Sequence, residues 1–109
     1  MPFDGNEQAI HAVGILRYAR EQIAAGRWVQ GDYGNRQGKF CALGWVHQAS
    51  NGSGLEAFEA LLALRNAVPE RQRVGSLGQT IIDYNDSHTQ RGVVRWFDRA
   101  IAKLECQQP

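Results

Sequence analysis

Cysteine 41 is the residue best placed for chemistry in this sequence. It lies in the segment GKFCALGW at residues 38–45, which follows a glycine-rich stretch and is predicted to open a helix with Cys41 in its first turn. The positive end of the helix dipole and the neighbouring Lys39 both lower a cysteine pKa and favour the nucleophilic thiolate. One hypothesis is therefore a thiol-dependent hydrolase or transferase with Cys41 as its nucleophile.

A cysteine nucleophile needs a base within hydrogen-bond reach. His47 is excluded on a regular helix, because six residues place it about 120° around the axis and about 9 Å along it from Cys41. The better candidate is His88, with Asn85 or Asp86 to orient its ring, as in the Cys-His-Asn sets of thiol hydrolases. The simpler interpretation makes Cys41 a small packing residue and gives Asn85 and Asp86 the work of ending one helix and starting the next.

Other reactive groups lack the necessary spacing. The histidines, cysteines and aspartates show neither Cys-x-x-Cys nor His-x-x-x-His, so no metal site is predicted. The glycines of residues 31–38 do not match a phosphate-binding loop. No cofactor is predicted.

Aromatic residues cluster around the same loop. Trp28, Tyr33, Phe40 and Trp45 lie close together in sequence. Because Trp and Tyr are enriched at binding hot spots, they suggest a surface for a protein partner. The simpler interpretation is that Trp28 and Trp45 close one end of a helical bundle.

Arginines form a stripe near the C-terminus. Arg91, Arg95 and Arg99 recur every four residues on one predicted helix face. A solvated face explains this pattern, and the alternative is a phosphate-backbone contact surface in which Arg95 and Arg99 bind nucleic acid.

Five amphipathic helices are predicted to position these residues. Helix 1 begins near Asp4, where Glu7 completes a capping box, and ends at the glycine stop Gly26. Its apolar face carries Ala9, Ala12, Val13, Leu16, Ala19 and Ile23. A long loop follows over residues 27–38, with a short irregular hairpin near Trp28.

Helices 2 to 5 are predicted over residues 39–49, 55–68, 76–84 and 87–105. Residues 85–86 separate the last two helices, and Ser87 caps helix 5. The core stripe of helix 3 consists of Leu55, Phe58, Leu61, Leu62 and Val68. That of helix 5 consists of Val93, Phe97, Ala100, Ile101 and Leu104. We expect an all-α fold, a compact single-domain bundle of about five helices with one long glycine-rich loop, in which residues 1–109 form a single helical domain.

Composition narrows the function classes. The chain has 109 residues, 43% of them hydrophobic, and a formal net charge of +1. This balance gives no overall attraction to nucleic acid or to a membrane. No apolar run approaches the roughly 20 residues of a membrane span, and the first residues lack a signal-peptide pattern. Two cysteines are too few for a disulfide framework, so we expect a cytoplasmic protein with reduced thiols, a single Cys41–Cys106 bridge being the alternative.

Two short motifs carry a family resemblance. They are Gly-x-x-Cys-Ala-Leu-Gly and Tyr-Asn-Asp, the latter followed by Thr-Gln-x-x-Val-x-x-x-Phe. They resemble a family of small uncharacterised bacterial and phage proteins with a central Cys-x-x-Gly-Ala element and a later Trp-Asn-Asp element. Cys41, Gly44, Asn85 and Asp86 are the matching positions, while Tyr84 replaces the tryptophan. The resemblance implies a bacterial or phage accessory protein and supplies no activity.

The sequence favours a small cytoplasmic helical protein that acts by binding a macromolecular partner, as a regulator or a phage-encoded inhibitor. The thiol-dependent enzyme is the alternative. A protein partner is expected, nucleic acid is the other interpretation, and an exposed aromatic loop is also compatible with a homodimer.

Overall fold

Apolar residues that recur every three to four positions produce five helices in the computed structural model. It describes residues 5–35 and 37–107, and the side chains of residues 11–35 and 37–107. The helices are α1 (Gly5–Ala24), α2 (Ala42–Ser50), α3 (Gly54–Asn66), α4 (Leu77–Ser87) and α5 (Gln90–Cys106), with a single 3-10 turn at Glu70–Gln72. These described residues contain no β-strand, only isolated bridges from Phe40 to Trp28 and to Gly34. The predicted all-α class is confirmed.

Helix α1 packs against α5, α2 and α3 and forms the centre of the core. Every predicted core residue of helix 5 is buried, as are those of helix 1 from Ala12 onward. Ala9 and the predicted cap formed by Asp4 and Glu7 lie outside the residues whose side chains are described. The core also holds Trp96, whose indole N–H donates to the carbonyl of Leu64 at 2.8 Å.

The predicted glycine stop of helix 1 is confirmed. Gly26 has a φ of +90°, and its N–H donates to the carbonyl of Ile23. The N–H of Arg27 donates to the carbonyl of Gln22, which completes a Schellman motif.

Helix 2 was predicted to start at Lys39, which is wrong. Gly38 has a φ of +75°, and Phe40 is held extended because its N–H donates to Arg27 O and its carbonyl accepts from Val29 N. The helix therefore begins at Ala42, and Cys41 is its N-cap.

The predicted break at residues 85–86 is also wrong. Helix α4 continues to Ser87, because the side chains of Asn85 and Asp86 bond to a distant loop and leave the helical backbone intact. Thr89, not Ser87, caps α5, and its Oγ1 accepts from Gly92 N at 3.1 Å.

Helix α3 runs over a slightly shorter range than predicted and turns a different face inward. Leu55 and Phe58 are 56% and 49% exposed, so their predicted core position is wrong. The buried face consists of Ala57, Ala60, Leu61, Ala63 and Leu64. Three alanines on that face allow close approach to α1 and α2, and Leu55 and Phe58 stay on the exposed side.

Charged side chains join α1 and α5 on the surface. Arg17 pairs with Glu105, and Arg20 Nε donates to Asp98 at 2.9 Å. Such exposed pairs contribute about 1 kcal/mol or less each, so apolar burial holds these helices together. None of the described helices is long and apolar enough to cross a membrane.

Candidate functional site

The loop before α2 is folded against the helices by backbone hydrogen bonds. The carbonyl of Arg27 accepts from Phe40 N at 3.2 Å and from the indole N–H of Trp45 at 2.6 Å. Farther along, the N–H of Cys41 donates to the carbonyl of Tyr33 at 3.0 Å. The predicted long loop thus has a defined path that ends at the N-cap of α2.

Asn85 connects this loop to α4 and to the start of α2. The residue is fully buried, and its Oδ1 accepts from Trp28 Nε1 at 2.7 Å and from Ala42 N at 3.0 Å. Its Nδ2 donates to Val29 O at 3.2 Å and to Asp86 Oδ1 at 2.9 Å. All four bonding positions of the amide are therefore used, as a buried polar group requires.

The bond to Ala42 is a helix cap supplied from elsewhere in the chain. Ala42 is the first residue of α2, so its N–H has no partner within the helix. Asn85 thus supports a helix terminus, as the simpler interpretation expected, but it caps α2 from inside α4 and does not separate α4 from α5.

The sequence contained a signal for this role. Leu77, Ile81 and Asn85 recur every four residues, so extending the apolar stripe of helix 4 by one turn places Asn85 on the buried face. A polar side chain at a core position needs hydrogen-bond partners, so an asparagine there indicates a buried hydrogen-bond network.

Asp86 and Gln30 attach the loop to the end of α4. Oδ1 of Asp86 accepts from Gly31 N at 3.0 Å. Gln30 Nε2 donates to the carbonyls of Asn85, Asp86 and His88 at 3.2, 3.3 and 2.6 Å. The last two carbonyls lie at a helix end, where intrahelical partners are missing. Gln30 of the loop therefore donates to carbonyls at the end of α4, and Asp86 of α4 accepts from the loop backbone.

Cys41 lies at the helix N-terminus as predicted, but its electrostatics differ from the prediction. The residue is 4% exposed, and burial raises the pKa of its thiol above the usual value. Hydrogen bonding from the N–H of Gly44, 3.5 Å from Sγ, opposes this shift, and the charge of Asp86 adds to it. The predicted lowering of the pKa is wrong because desolvation outweighs the helix terminus. Both Cys41 and Cys106 are free thiols.

His88, the predicted base, is engaged with its own helix end. Its Nδ1 is 2.8 Å from the carbonyl of Tyr84 and 3.0 Å from Ser87 Oγ. Its ring stacks on that of Tyr84, with centroids 3.7 Å apart. Within residues 11–35 and 37–107, no hydrogen bond joins His88 to the Cys41 thiol or to the side chain of Asn85 or Asp86. A catalytic role for this set stays a prediction.

Tyr33 is the most exposed of the four candidate aromatic residues. Trp45 is buried, and Trp28 and Phe40 are partly buried against the core. Tyr33 is 47% exposed, contacts the ring of Phe40 edge-on, and its OH lies 3.2 Å from Nδ1 of His47. Three of the four rings therefore pack the loop, and Tyr33 faces solvent.

A pocket of about 190 Å³ opens beside Cys41, between the loop, α2 and α4. Its walls combine apolar side chains with two carboxylates. The lining residues are Gly31, Asp32, Tyr33, Cys41, Leu43, Ile82 and Asp86. His88 is not among them.

The two candidate arginines differ in their surroundings. Arg99 Nη2 donates to the OH of Tyr84 at 2.9 Å and to the carbonyl of Ala67 at 3.4 Å, so it links α5 to α4 and to the end of α3. Arg95 is exposed beside Arg91 and Asp98 on the outer face of α5. Among the residues described, His, Cys, Asp and Glu form no group of three that could hold a metal ion.

Comparison with known proteins gives a family assignment. No curated protein and no solved structure matches the chain. The model of a protein family of unknown function matches residues 8–103, a range that holds Cys41, Gly44, Asn85 and Asp86. The chain therefore belongs to this family, DUF6197.

Proposed function

We propose that this protein is a non-enzymatic binding protein that regulates a macromolecular partner. Its contact surface is what we call the Tyr33–Phe58 face, made of Tyr33, Leu43, His47, Leu55 and Phe58. These residues come from the loop, from the outer side of α2 and from the first turns of α3.

The observation that carries this proposal is the grouping of exposed apolar side chains. Five large apolar residues are exposed in the described parts of the chain, and Tyr33, Leu55 and Phe58 are three of them. His47 connects them, because it contacts the OH of Tyr33 and lines a shallow pocket of about 320 Å³ with Phe58. Leu55 lies one helical turn before Phe58.

Such grouping is typical of interfaces. Single exposed apolar residues need no explanation, whereas adjoining ones mark binding surfaces. Tyrosine is also among the residue types enriched at binding hot spots, because it combines a large apolar ring with a hydrogen-bonding group. We expect Tyr33 to contribute most to the affinity.

The hydrogen bonds and burial of the candidate catalytic residues also favour a binding function over catalysis. The amide of Asn85 is fully used in holding the loop, and Nδ1 of His88 is engaged at its helix end. The Cys41 thiol is buried with a raised pKa. A nucleophile needs the opposite, a lowered pKa or an adjacent base.

Photo-crosslinking in cells that naturally produce the protein tests this proposal. A benzophenone amino acid is placed at position 33 or 58, and in a matched control at position 74, where Val74 is 42% exposed outside the face. We expect the same discrete adduct from positions 33 and 58 and none from position 74. Equal labelling at all three positions, or none at all, would overturn the proposal.

Two other partners give different results. A second copy of the chain would double the apparent mass of the purified protein and produce a self-adduct. Nucleic acid would bind through the α5 arginines Arg91, Arg95 and Arg99, with an affinity that falls steeply with salt. Either outcome would replace the proposed partner.

A further inference from the structure

We propose that the pocket beside Cys41 receives a basic side chain, lysine or arginine, of the partner protein. This inference rests on the proposed function and names the chemistry by which one part of the surface recognises its partner. Tyr33 belongs both to the pocket and to the Tyr33–Phe58 face, so the two are continuous.

The size of the pocket selects a side chain over a cofactor. Its volume is about 190 Å³. Sites for drug-sized ligands span roughly 300–1,000 Å³, so this pocket holds a smaller group. One long side chain from a docked protein is a group of suitable size.

The walls suit the stem of such a side chain. Leu43 and Ile82 are partly buried, and they offer apolar surface to methylene groups. Lysine and arginine bury their stems in this way and keep the charged end near polar groups.

The charge of the lining complements a cation. Asp32 and Asp86 are exposed carboxylates, and the seven lining residues include no Lys, Arg or His. Oδ1 of Asp86 already accepts from Gly31 N and Asn85 Nδ2, which fixes the carboxylate in place. Oδ2 accepts no hydrogen bond from the described residues and is available to a donor from the partner.

Peptide titrations followed by amide NMR shifts test the inference on the full chain. The probes are blocked Gly-Lys-Gly and Gly-Arg-Gly, with norleucine and citrulline peptides as uncharged counterparts. We expect saturable shifts of Gly31, Tyr33, Leu43 and Ile82 at millimolar concentrations with the basic peptides. The uncharged peptides should bind roughly fivefold more weakly, since each exposed ion pair contributes about 1 kcal/mol or less.

Carboxylate variants provide the second arm. Asp32→Asn and Asp86→Asn should each weaken Gly-Lys-Gly binding roughly threefold. Asp86→Asn keeps an oxygen that can accept from Gly31 N, so its thermal unfolding shows whether the loop is retained. The matched control is Asp83→Asn, an exposed aspartate on α4 outside the pocket, and it should leave binding unchanged.

The outcomes separate this inference from the proposed function. Equal binding of lysine and norleucine peptides, or no shifts with any peptide, would overturn the proposal that the pocket receives a basic side chain. A specific adduct at positions 33 and 58 would still support the proposed binding function. Selective lysine binding without any adduct would support the pocket and overturn the binding function.

Discussion

The indole N–H of Trp28 donates to Oδ1 of Asn85 over 2.7 Å, across 57 positions of sequence. The same oxygen accepts from Ala42, the first residue of α2. One amide oxygen therefore fixes both ends of the loop that carries Tyr33. The position of Tyr33, and with it the loop side of the pocket beside Cys41, depends on this buried contact.

Replacing Asn85 with alanine should cost about 3 kcal/mol in the free energy of unfolding. The change leaves the Trp28 indole and the Ala42 N–H without an acceptor, and each unsatisfied buried group costs about 1–3 kcal/mol. Urea unfolding followed by circular dichroism measures the loss. Asn66→Ala, an exposed asparagine on α3, is the control and should change stability by about 0.5 kcal/mol or less. Equal effects of the two substitutions would contradict the role of Asn85.

Trp28→Phe should lower the free energy of unfolding by about 1 kcal/mol or somewhat more, because it removes one hydrogen-bond donor and part of a partly buried ring. In the Asn85→Ala background the same substitution should cost about 1 kcal/mol less, since the acceptor is already gone. A double-mutant cycle measures this coupling. Additive effects would show that the bond contributes little.

Gly44→Ala should destabilise the protein by roughly 1–3 kcal/mol. A Cβ at this position would lie 2.6 Å from the carbonyl oxygen of Tyr33, a backbone atom that cannot move without shifting the loop. Gly14→Ala is the matched control within α1, where a Cβ meets nothing within 4 Å, and it should stabilise by about 0.5–1 kcal/mol. Thermal unfolding measures the stability of both variants. An unchanged stability of Gly44→Ala would contradict the close contact between position 44 and the carbonyl of Tyr33.

Alkylation of Cys41 should be slow at neutral pH. Its pKa is raised by burial, so the thiolate fraction at pH 7 is below that of an ordinary thiol and grows as the pH rises. Iodoacetamide kinetics of the Cys106→Ser variant report Cys41, and those of Cys41→Ser report the exposed Cys106. A Cys41 rate that levels off at or below pH 7 would restore the thiol-enzyme hypothesis.

The same pKa shift predicts how stability depends on pH. A thiol with a raised pKa in the folded state ionises more readily after unfolding. At pH 7 the thiol is protonated in both states and does not change the free energy of unfolding, whereas above about pH 8.5 its ionisation in the unfolded chain lowers that free energy. Cys41→Ser should remove this part of the alkaline destabilisation. Denaturant midpoints from pH 7 to 10 measure the difference, with Cys106→Ser as the control.

The helices could be predicted from the sequence because helical periodicity is local. The described core residues predicted for α1 and α5 are all buried, and the glycine stop at Gly26 is where its spacing placed it. The start of α2 and the continuity of α4 could not be predicted in the same way. The start of α2 depends on the bonds of Phe40 to Arg27 and Val29 and on the cap that Asn85 supplies to Ala42. The continuity of α4 depends on the bonds of Asn85 and Asp86 to the loop, and no local helical pattern contains any of these contacts.

For the candidate site as well, local patterns in the sequence predicted only part of what the structure shows. The thiol-enzyme hypothesis grouped Cys41 with His88 and with Asn85 or Asp86, although no sequence pattern shows that the two segments meet. The structure places Cys41, Asn85 and Asp86 around the loop and the start of α2. The direction of the Cys41 pKa shift was wrong because the sequence shows the helix terminus and Lys39 but not the depth of burial. Phe58 was assigned to the core because its spacing fits one stripe with Leu61, but the buried face of α3 is centred on its alanines and leaves Phe58 half-exposed.

The separation between Asn85 and its partners also imposes an order on folding. During synthesis, Trp28 and Ala42 emerge well before the amide that joins them, so the loop must wait for α4. Closing so long a segment carries an entropic cost that local helix formation avoids. We expect the amides of Val29 and Ala42 to gain protection from hydrogen exchange after those in the middle of α1. In the native protein, the loop with Tyr33 should accordingly open before the helices unfold.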